Sequence, residues 1–330
     1  MRAAYIEEYG PPSVIRYGEL PDPRPGPTDV LVDVDAVAVD PVDTFVRSGA
    51  WRTPLTFPFV IGRDLVGTVA EAGPGTPGFA PGDRVWSLSM GHEGRQGPSA
   101  ERAVVPADRL YRLPDDTDPL DLLAMAHPAA TAHLALFTHG RLRPGETVVV
   151  HGAAGNVGGA MVVMAANAGA RVVAVASGAD AAYCRDLGAV RTVDYRAPDV
   201  PARIAAACGD GADLILDASG RNDLEQAVNL LARRGRIIVL SGMTARPVLP
   251  VAALYQQDRS ITGFAISHAT TTELAEAAHH VAHLTATGLL RPRHRTTLPL
   301  SEAAEAHHRL ESGEGSGHRF LLQTPTPSAP

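Results

Sequence analysis

The sequence predicts an α/β protein with two domains, one rich in β-strands and one built on a doubly wound parallel sheet. The chain has 330 residues, and a single hydrophobic core stops growing at roughly 250–300 residues. Residues 1–127 contain short β-branched runs between glycine and proline clusters, whereas apolar strands alternate with helical segments from residue 128 onward. Such alternation is typical of a parallel sheet covered by helices on both faces.

The first domain, residues 1–127, has the pattern of an antiparallel β structure. In its clearest strand, DVLVDVDAVAV (Asp29–Val39), polar and apolar residues alternate as in a half-buried strand. The strands LVGTVAEAG and GDRVWSL follow, separated by the turn cluster GPGTPGFAPGD. The segment 269–330 adds two helices and a last strand, HRFLLQ, and is too short to be a domain. We therefore expect it to complete the first one.

The second domain, residues 128–268, contains six strand candidates: TVVVHG, RVVAVAS, TVDY, ADLILDAS, GRIIVLSG and SITGFAIS. Helical segments such as NVGGAMVVMAANAG, ADAAYCRDLG and NDLEQAVNLLARR lie between most of them. Six strands in this pattern fit a doubly wound dinucleotide-binding fold.

Composition excludes several classes of protein. The net charge is −7 and no basic block occurs, which argues against a nucleic-acid partner. The N-terminus MRAAYIEEYG has no apolar signal core, and no apolar run is expected to reach the ~20 residues that span a membrane. Cys184 and Cys208 lie far apart in helical stretches, as reduced core residues of a cytoplasmic protein would.

The loop HGAAGNVGG lies between a strand and a helix, where a dinucleotide site is expected. Ala153, Gly155 and Gly158 occupy the three positions of G-x-G-x-x-G, and Asn156 and Val157 lie at the helix start. A glycine at the second position lets the backbone approach a pyrophosphate, and one at the third lets helix and strand pack closely. The helix N-terminus offers free N–H groups to phosphates. The alternative is a tight structural turn.

The tip of the next strand bears on the choice of dinucleotide. NAD-binding folds usually carry an acid there for the ribose 2′-hydroxyl, but this strand ends at Ser177. The space beside Ser177 favours a 2′-phosphate, although the nearby Asp180 argues against it. Tyr195 and Arg196, after the third strand, can line the same pocket. We therefore expect NADPH, with NADH as the weaker alternative.

Several segments match motifs of one known family. DPVDTFVRSGAW (Asp40–Trp51) is similar to N-x-x-D-x-x-x-R-x-G, and FPFVIGRDLVGTVAEAG to P-x-x-x-G-x-[DE]-x-x-G-x-V followed by PGDRVW. The glycine loop is similar to A-A-G-G-V-G, while DASG and GHRFLL match later cofactor-contacting segments. The chain thus resembles the medium-chain dehydrogenase/reductase superfamily, and within it the zinc-free quinone oxidoreductase, or zeta-crystallin-like, branch.

The resemblance implies a GroES-like catalytic domain, a Rossmann cofactor domain and an active-site cleft between them. It also implies NADPH-dependent hydride transfer to a quinone or an α,β-unsaturated carbonyl, and homodimers are common in the branch. Two alternatives stay open. One is a tailoring enoyl reductase or dehydrogenase of a biosynthetic pathway. The other is a protein that binds NADPH without turnover, as a sensor or structural protein.

No metal is expected. A catalytic zinc needs about three N, S or carboxylate ligands, and zinc enzymes of the superfamily take them from a Cys, a His-Glu pair and another Cys or Asp. Here Arg63 replaces that His, and no cysteine precedes Cys184. His279 and His283 share a helix face, but no third ligand accompanies them.

Asp40 stands where the branch more often has Asn, which can donate a hydrogen bond to a substrate carbonyl. An ionised Asp cannot, so a catalytic Asp40 needs a raised pKa, or else it pairs with Arg47 or Arg63. The structural alternative is a turn cap before Pro41, and Asp43 is expected to cap the helical segment that follows.

The resemblance also implies substrate-facing residues. Phe45 and Trp51 fall where the branch has aromatic residues near the substrate, with core packing as the alternative. Arg47, in the same segment, is also expected to bind the substrate. Thr131 resembles a Thr that contacts the nicotinamide or the substrate, with helix capping as its alternative. His127 and His133 flank it and could donate a proton; the alternative is that each is a hydrogen-bonded histidine with no catalytic role.

Further cofactor contacts are expected at the carboxyl ends of the later strands, where ligands bind in doubly wound sheets. Phe264 is also expected to face the substrate. The residues assigned to these contacts, partly through the resemblance, are Ser219, Ser241, Gly242, Phe264, Ile266 and Arg319.

Overall fold

A computed structural model describes residues 1–314 and 317–325. Its chain forms two compact units, one made of Met1–His127 with the segment from Thr270 onward and the other of Pro128–Ala269. The strands in the described residues are β1 (Arg2–Ile6), β2 (Arg16–Glu19), β3 (Asp29–Val39), β4 (Phe59–Val60), β5 (Asp64–Ala72), β6 (Arg84–Ser87), β7 (Arg102–Pro106), β8 (Leu110–Arg112), β9 (Thr147–His151), β10 (Arg171–Ala176), β11 (Arg191–Asp194), β12 (Ala212–Asp217), β13 (Leu231–Val239), β14 (Ser260–Gly263), β15 (His294–Pro299) and β16 (His318–Gln323). The α-helices in the same residues are α1 (Pro41–Ser48), α2 (Pro119–His133), α3 (Asn156–Asn167), α4 (Ala181–Asp186), α5 (Val200–Cys208), α6 (Leu224–Leu230), α7 (Val251–Tyr255), α8 (Thr271–Ala286) and α9 (Ala303–Arg309).

The unit Pro128–Ala269 is built on a six-stranded sheet in the order β11-β10-β9-β12-β13-β14. Every neighbouring pair is parallel. The chain starts in the middle of the sheet, winds to one edge and then to the other, which is the doubly wound order. Central strands β9 and β12 are mostly buried, as the continuous apolar runs in their sequences require. The predicted fold class is confirmed.

One predicted helix in this unit is too long. The segment NDLEQAVNLLARR was expected to be helical throughout, but α6 ends at Leu230 and β13 begins at Leu231. Asp223 starts the helix by accepting a hydrogen bond from the Gln226 N–H (3.0 Å), and Leu231 already has extended backbone angles. Leu230 and Leu231 are both buried, so the apolar pattern gives no sign of the change.

The unit that begins at Met1 contains two sheets. A seven-stranded sheet runs β15-β16-β3-β5-β6-β8, with β7 also paired to β3, and a smaller sheet runs β2-β1-β4. Pairing is antiparallel except between β15 and β16. β16 pairs with β3, Phe320 lying opposite Val39, so the segment after Thr270 completes this sheet. β15 was not predicted, because its polar sequence HRTTLP lacks the apolar alternation of a strand.

One helical run contradicts the expectation that no apolar stretch is long enough for a membrane. Among the described residues, Pro119–His139 has the length and composition of a membrane span. However, 78% of the apolar 18-residue stretch within this helical run is buried inside the protein. Such burial is typical of a core helix in a globular protein, so the run is weak evidence for a membrane span.

Candidate active site

The glycine loop joins β9 to α3 through a tight turn. Gly152 has φ of +71°, so this glycine, and not Ala153 at the first motif position, takes the left-handed conformation. The Gly155 N–H donates to the Gly152 carbonyl (3.0 Å), and α3 begins at Asn156. A Cβ on Gly158 would lie 2.1 Å from the Gly152 carbonyl oxygen. The loop and the first turn of α3 thus form a cradle that requires glycine at position 158. The first N–H groups of a helix have no partner within the helix itself.

This cradle fits the pyrophosphate of a dinucleotide. Asn156 and Val157 are half-buried at the helix start, whereas Ala153 and Gly158 are buried beneath it. The N-terminus of a helix attracts anions through its free N–H groups and its partial positive charge. The loop residues named from the sequence therefore lie together in one turn.

The tips of β10 and β11 carry polar and cationic groups. Ser177 donates its hydroxyl to the Asp180 carboxylate (2.6 Å), so the hydroxyl is not directed to open space. After β11, the exposed Tyr195 ring has the Arg196 guanidinium 5.0 Å from its centroid. The Arg221 guanidinium lies 5.6 Å from the same centroid, although Arg221 follows β12. The sequence analysis did not single out Arg221. Its position directly after DASG, a segment that matches a cofactor-contacting motif, could have indicated it.

A hydrogen-bonded network organises the ends of β12 and β13. Asp217 accepts from the N–H and hydroxyl of Ser219 (2.7 and 2.6 Å) and from the Asn222 N–H (2.7 Å). Asn222 donates to the Ser241 carbonyl (2.7 Å), and the Ser241 hydroxyl donates to the Asp217 carbonyl (3.0 Å). The network holds Ser219 and Ser241 in one place, with Gly242 beside them.

The two residues after β14 that were predicted to contact the cofactor, Phe264 and Ile266, differ in their exposure to solvent. Phe264 is partly exposed and stacks on His139 with ring centroids 4.5 Å apart and an interplanar angle of 22°. Ile266 is buried. His139 was not singled out from the sequence, because a lone histidine at the end of a helical run carries no local signal.

Asp40 lies at the N-cap of α1 and its carboxyl group is buried. The Arg319 guanidinium donates to Asp40 Oδ1 (2.7 Å), to the Ala124 carbonyl (2.7 Å) and to the Val39 carbonyl (3.4 Å). One expectation needs correction, because Arg47 is paired with Glu311 and not with Asp40. Arg319 hydrogen-bonds Asp40, and the charge of Arg63 also acts on this carboxylate. The cofactor contact expected of Arg319 stays a prediction.

The α1 segment separates the expected substrate residues. Phe45 is 37% exposed, and the half-buried Trp51 donates its backbone N–H to the Phe45 carbonyl (3.0 Å). Arg47, expected to face the substrate, is instead buried and paired with Glu311. Desolvation explains the pairing, because a buried guanidinium needs a compensating carboxylate.

Thr131 lies on α2 and is buried. Of its flanking histidines, His133 packs against Phe137 with centroids 5.1 Å apart, and His127 lies 3.6 Å (Nδ1) from Asp64 Oδ1. The two histidines, for which the sequence predicts the same role, therefore have different neighbours: a carboxylate for His127 and an aromatic ring for His133.

A buried charged cluster surrounds Asp40. It consists of Asp40, Asp43, Arg63, Asp64, His127 and Arg319, each less than 9% exposed.

The protonation of the carboxyl groups in this cluster follows from burial and from their neighbours. Asp43 accepts from the Asp40 N–H (2.8 Å), as expected for a helix-capping residue. Burial and the adjacent Asp40 raise the pKa of Asp43 to about 8. Burial also raises the pKa of Asp64. Burial alone would raise the pKa of Asp40, but Arg319 and His127 outweigh it and lower that pKa.

A possible ligand set lies inside this cluster. Among the described residues, Asp40, Asp64 and His127 place one N or O atom each within 4.8 Å of the others. Sequence reasoning missed this set because its members come from three distant segments. The residues nevertheless do not fit a catalytic zinc. Asp40 is bound by Arg319, and the buried Arg63 interacts electrostatically with the same carboxylates. Two fixed guanidinium charges already balance them and would repel a divalent cation.

Comparisons with known proteins agree with this architecture. The alcohol dehydrogenase GroES-like domain family matches residues 26–115, and the zinc-binding dehydrogenase family matches residues 156–282. The mouse (Mus musculus) quinone oxidoreductase is 30% identical over 98% of this chain and 97% of its own. The 2-haloacrylate reductase of a Burkholderia species is 29% identical over 97% of this chain and 98% of its own.

A solved structure described as an NAD-dependent alcohol dehydrogenase is 31% identical, with a TM-score of 0.88 over 98% of this chain and all of the other. Full-length similarity, the GroES-like and parallel-sheet domains and the glycine loop all lead to the same assignment. The chain is an oxidoreductase and belongs to the quinone oxidoreductase family of the medium-chain dehydrogenase/reductase superfamily.

Proposed function

We propose that this protein transfers a hydride from NADPH to a quinone or an α,β-unsaturated carbonyl without a metal. The observation that carries the proposal is the glycine cradle, in which glycine at position 158 lets the start of α3 pack directly against the backbone of the loop. The names of the two relatives support the acceptor class, since a quinone and a 2-haloacrylate both contain a double bond conjugated to a carbonyl.

The nicotinamide, when bound, supplies the hydride, and the protein supplies binding and orientation. The N–H groups at the start of α3 bind the pyrophosphate. Ser219 and Ser241, held by Asp217, offer polar groups at the strand ends. The partly exposed Phe45 and Trp51 offer apolar surface to a flat acceptor ring. We assign Thr131 the role of hydrogen-bonding the nicotinamide or the substrate, as the family resemblance implies.

A steady-state assay tests this function. NADPH oxidation at 340 nm is followed with 9,10-phenanthrenequinone and with a panel of simple and elaborate enones. Turnover with the quinone and with simple enones supports the proposal. Activity restricted to one elaborate enone would make the protein a tailoring enoyl reductase. Tight NADPH binding without turnover across the panel would make it a sensor or structural protein.

The preference for NADPH over NADH is proposed from the Tyr195 region. Two guanidinium groups, those of Arg196 and Arg221, lie against one exposed ring at the tips of the strands. Arginine binds phosphate through charge-assisted hydrogen bonds, each contributing about 1.5–3 kcal/mol. The hydroxyl of Ser177, bound to Asp180, is a less suitable phosphate donor than these two arginines.

Replacing both arginines (Arg196→Ser with Arg221→Ser) is expected to raise the KM for NADPH about tenfold or more. The KM for NADH should change little, because NADH lacks the 2′-phosphate. The measurement is the ratio of kcat/KM for the two cofactors. Arg185→Ser, at an exposed position on the nearby helix α4, is the matched control. An unchanged NADPH/NADH ratio in the double variant would rule out this phosphate site.

We further propose a homodimer in the cytoplasm. β14 is an edge strand of the parallel sheet, and the chain that connects it to β13 exposes Met243, Val248, Val251 and Tyr255. An open edge beside exposed apolar residues favours association with a second copy. Light scattering that gives the 34.6 kDa mass of one chain would contradict the dimer.

The proposed cytoplasmic location rests on Cys184 and Cys208, both of which are buried free thiols.

A further inference from the structure

Enone reduction requires a proton on carbon. After the hydride reaches the β-carbon, the electron pair of the double bond resides on an enolate, and the α-carbon must then take up H⁺. A reduced quinone instead takes its protons on oxygen, where exchange with water is fast. A positioned acid therefore matters far more for an enone than for a quinone, and general acid catalysis contributes typically about 10²–10⁴-fold.

The charged cluster contains one group suited to this role. Within the Asp40, Asp64 and His127 set, both carboxylates are almost completely buried, whereas 10% of the His127 side chain is exposed. Its Nδ1 lies 3.6 Å from Asp64 Oδ1. His127 is thus the most exposed member of the set, and the buried Asp64 carboxylate lies beside its Nδ1.

The surrounding charges keep a proton on this imidazole. The ionisable groups that act on it are Asp40, Asp64 and Arg63. Burial lowers the pKa of His127, but the two carboxylates outweigh burial and the opposing Arg63, so the pKa is raised overall. Arg319 in turn holds Asp40 in place. The imidazole is therefore protonated over a wider pH range than a free histidine.

Other acids in the described residues are less suitable. Burial raises the pKa of Asp43 to about 8, but its carboxyl group is engaged with the Asp40 N–H and is 4% exposed. His133 packs against the Phe137 ring, with ring centroids 5.1 Å apart. His127 combines the largest exposure in the cluster with a neighbouring carboxylate.

We propose that His127 donates the proton that the α-carbon of an enone takes up, and that Asp64 is the positioning residue for its imidazole. The proposal rests on the hydride transfer proposed above. In this step an imidazolium N–H bond breaks and a C–H bond forms at the α-carbon, using the enolate electron pair. His127 is left neutral and regains its proton from water, while the hydride has come from NADPH, which leaves as NADP⁺.

The test compares two acceptors in the same variants. In His127→Asn, the ratio of kcat for 2-cyclohexenone to kcat for 9,10-phenanthrenequinone should fall about 100-fold relative to the unmodified protein. Quinone turnover by the variant reports that it is folded and binds NADPH. His279→Asn, an exposed histidine on α8, is the matched control and should leave the ratio unchanged.

The pH profile separates a proton donor from a structural residue. In the unmodified protein, kcat for the enone should fall as the pH rises through the pKa of His127, and this limb should disappear in His127→Asn. Asp64→Asn keeps an oxygen for the Ser89 N–H (3.1 Å) but removes the charge, so it should move the limb to lower pH. An unchanged ratio, or an enone profile without this limb, overturns the assignment. Absence of turnover with both acceptors in the unmodified protein would instead refute the proposed function.

Discussion

Gly158→Ala is expected to weaken NADPH binding about 100-fold. The added Cβ would lie 2.1 Å from the Gly152 carbonyl oxygen and 2.7 Å from its carbonyl carbon. Both are backbone atoms, so relief requires the loop to move away from the start of α3. Overpacking of this kind costs about 1–3 kcal/mol, and 100-fold corresponds to about 2.7 kcal/mol. Fluorescence titration with NADPH measures the change in Kd.

The next residue provides the control. A Cβ on Gly159 would meet Leu187 Cδ1 at 3.4 Å and the Tyr183 hydroxyl at 3.5 Å, which is ordinary van der Waals contact. Gly159→Ala adds the same methyl group to the same helix and should bind NADPH as the unmodified protein does. If both variants retain full affinity, the loop is a structural turn and not the cofactor cradle.

Arg319→Met is expected to destabilise the unit that contains it by about 3–5 kcal/mol. The substitution leaves Asp40, 1% exposed, without the guanidinium that is 2.7 Å from its Oδ1. It also removes the donors to two buried carbonyl groups, those of Ala124 and Val39. An unpaired buried carboxylate must be desolvated without compensation or take up a proton. The urea concentration at the unfolding midpoint measures the loss.

Two further variants isolate the buried charge. Arg319→Met combined with Asp40→Asn should recover part of the stability, because the charge that the first substitution leaves behind is gone. Arg233→Met breaks a solvent-exposed pair with Asp258 and should cost less than about 1 kcal/mol. Equal midpoints for Arg319→Met and Arg233→Met would mean that the Asp40 pair contributes no more than a surface pair.

Local patterns predicted most of the parallel-sheet unit. Its central strands β9, β10 and β12 contain continuous apolar runs, so they can be assigned from neighbouring residues. The exceptions have physical causes. The change from α6 to β13 occurs between two buried leucines, Leu230 and Leu231, so the hydropathy pattern of the sequence does not show where the helix ends. In the other unit, β15 is stabilised by its pairing with β16, which its short polar sequence does not reveal.

The candidate site likewise has one part that is local in sequence and one part that is assembled from distant segments. The glycine loop is local, and the motif residues named from the sequence lie together in one turn. The charged cluster is not local, since Asp40, Asp64, His127 and Arg319 come from four distant segments. Sequence offered Arg47 and Arg63 as partners for Asp40 because they are near in the chain. The pairing of β16 with β3 brings Arg319 to Asp40, where its guanidinium hydrogen-bonds the carboxylate.

Deuterium transfer tests the central claim most directly. NADPH carrying deuterium at both C4 positions is incubated in ordinary water with the protein and an enone from the acceptor panel, and the product is examined by NMR and mass spectrometry. Hydride transfer predicts one deuterium at the β-carbon and a solvent hydrogen at the α-carbon. Reduced product without deuterium at the β-carbon, or no reduced product from any acceptor in the panel, would contradict the account.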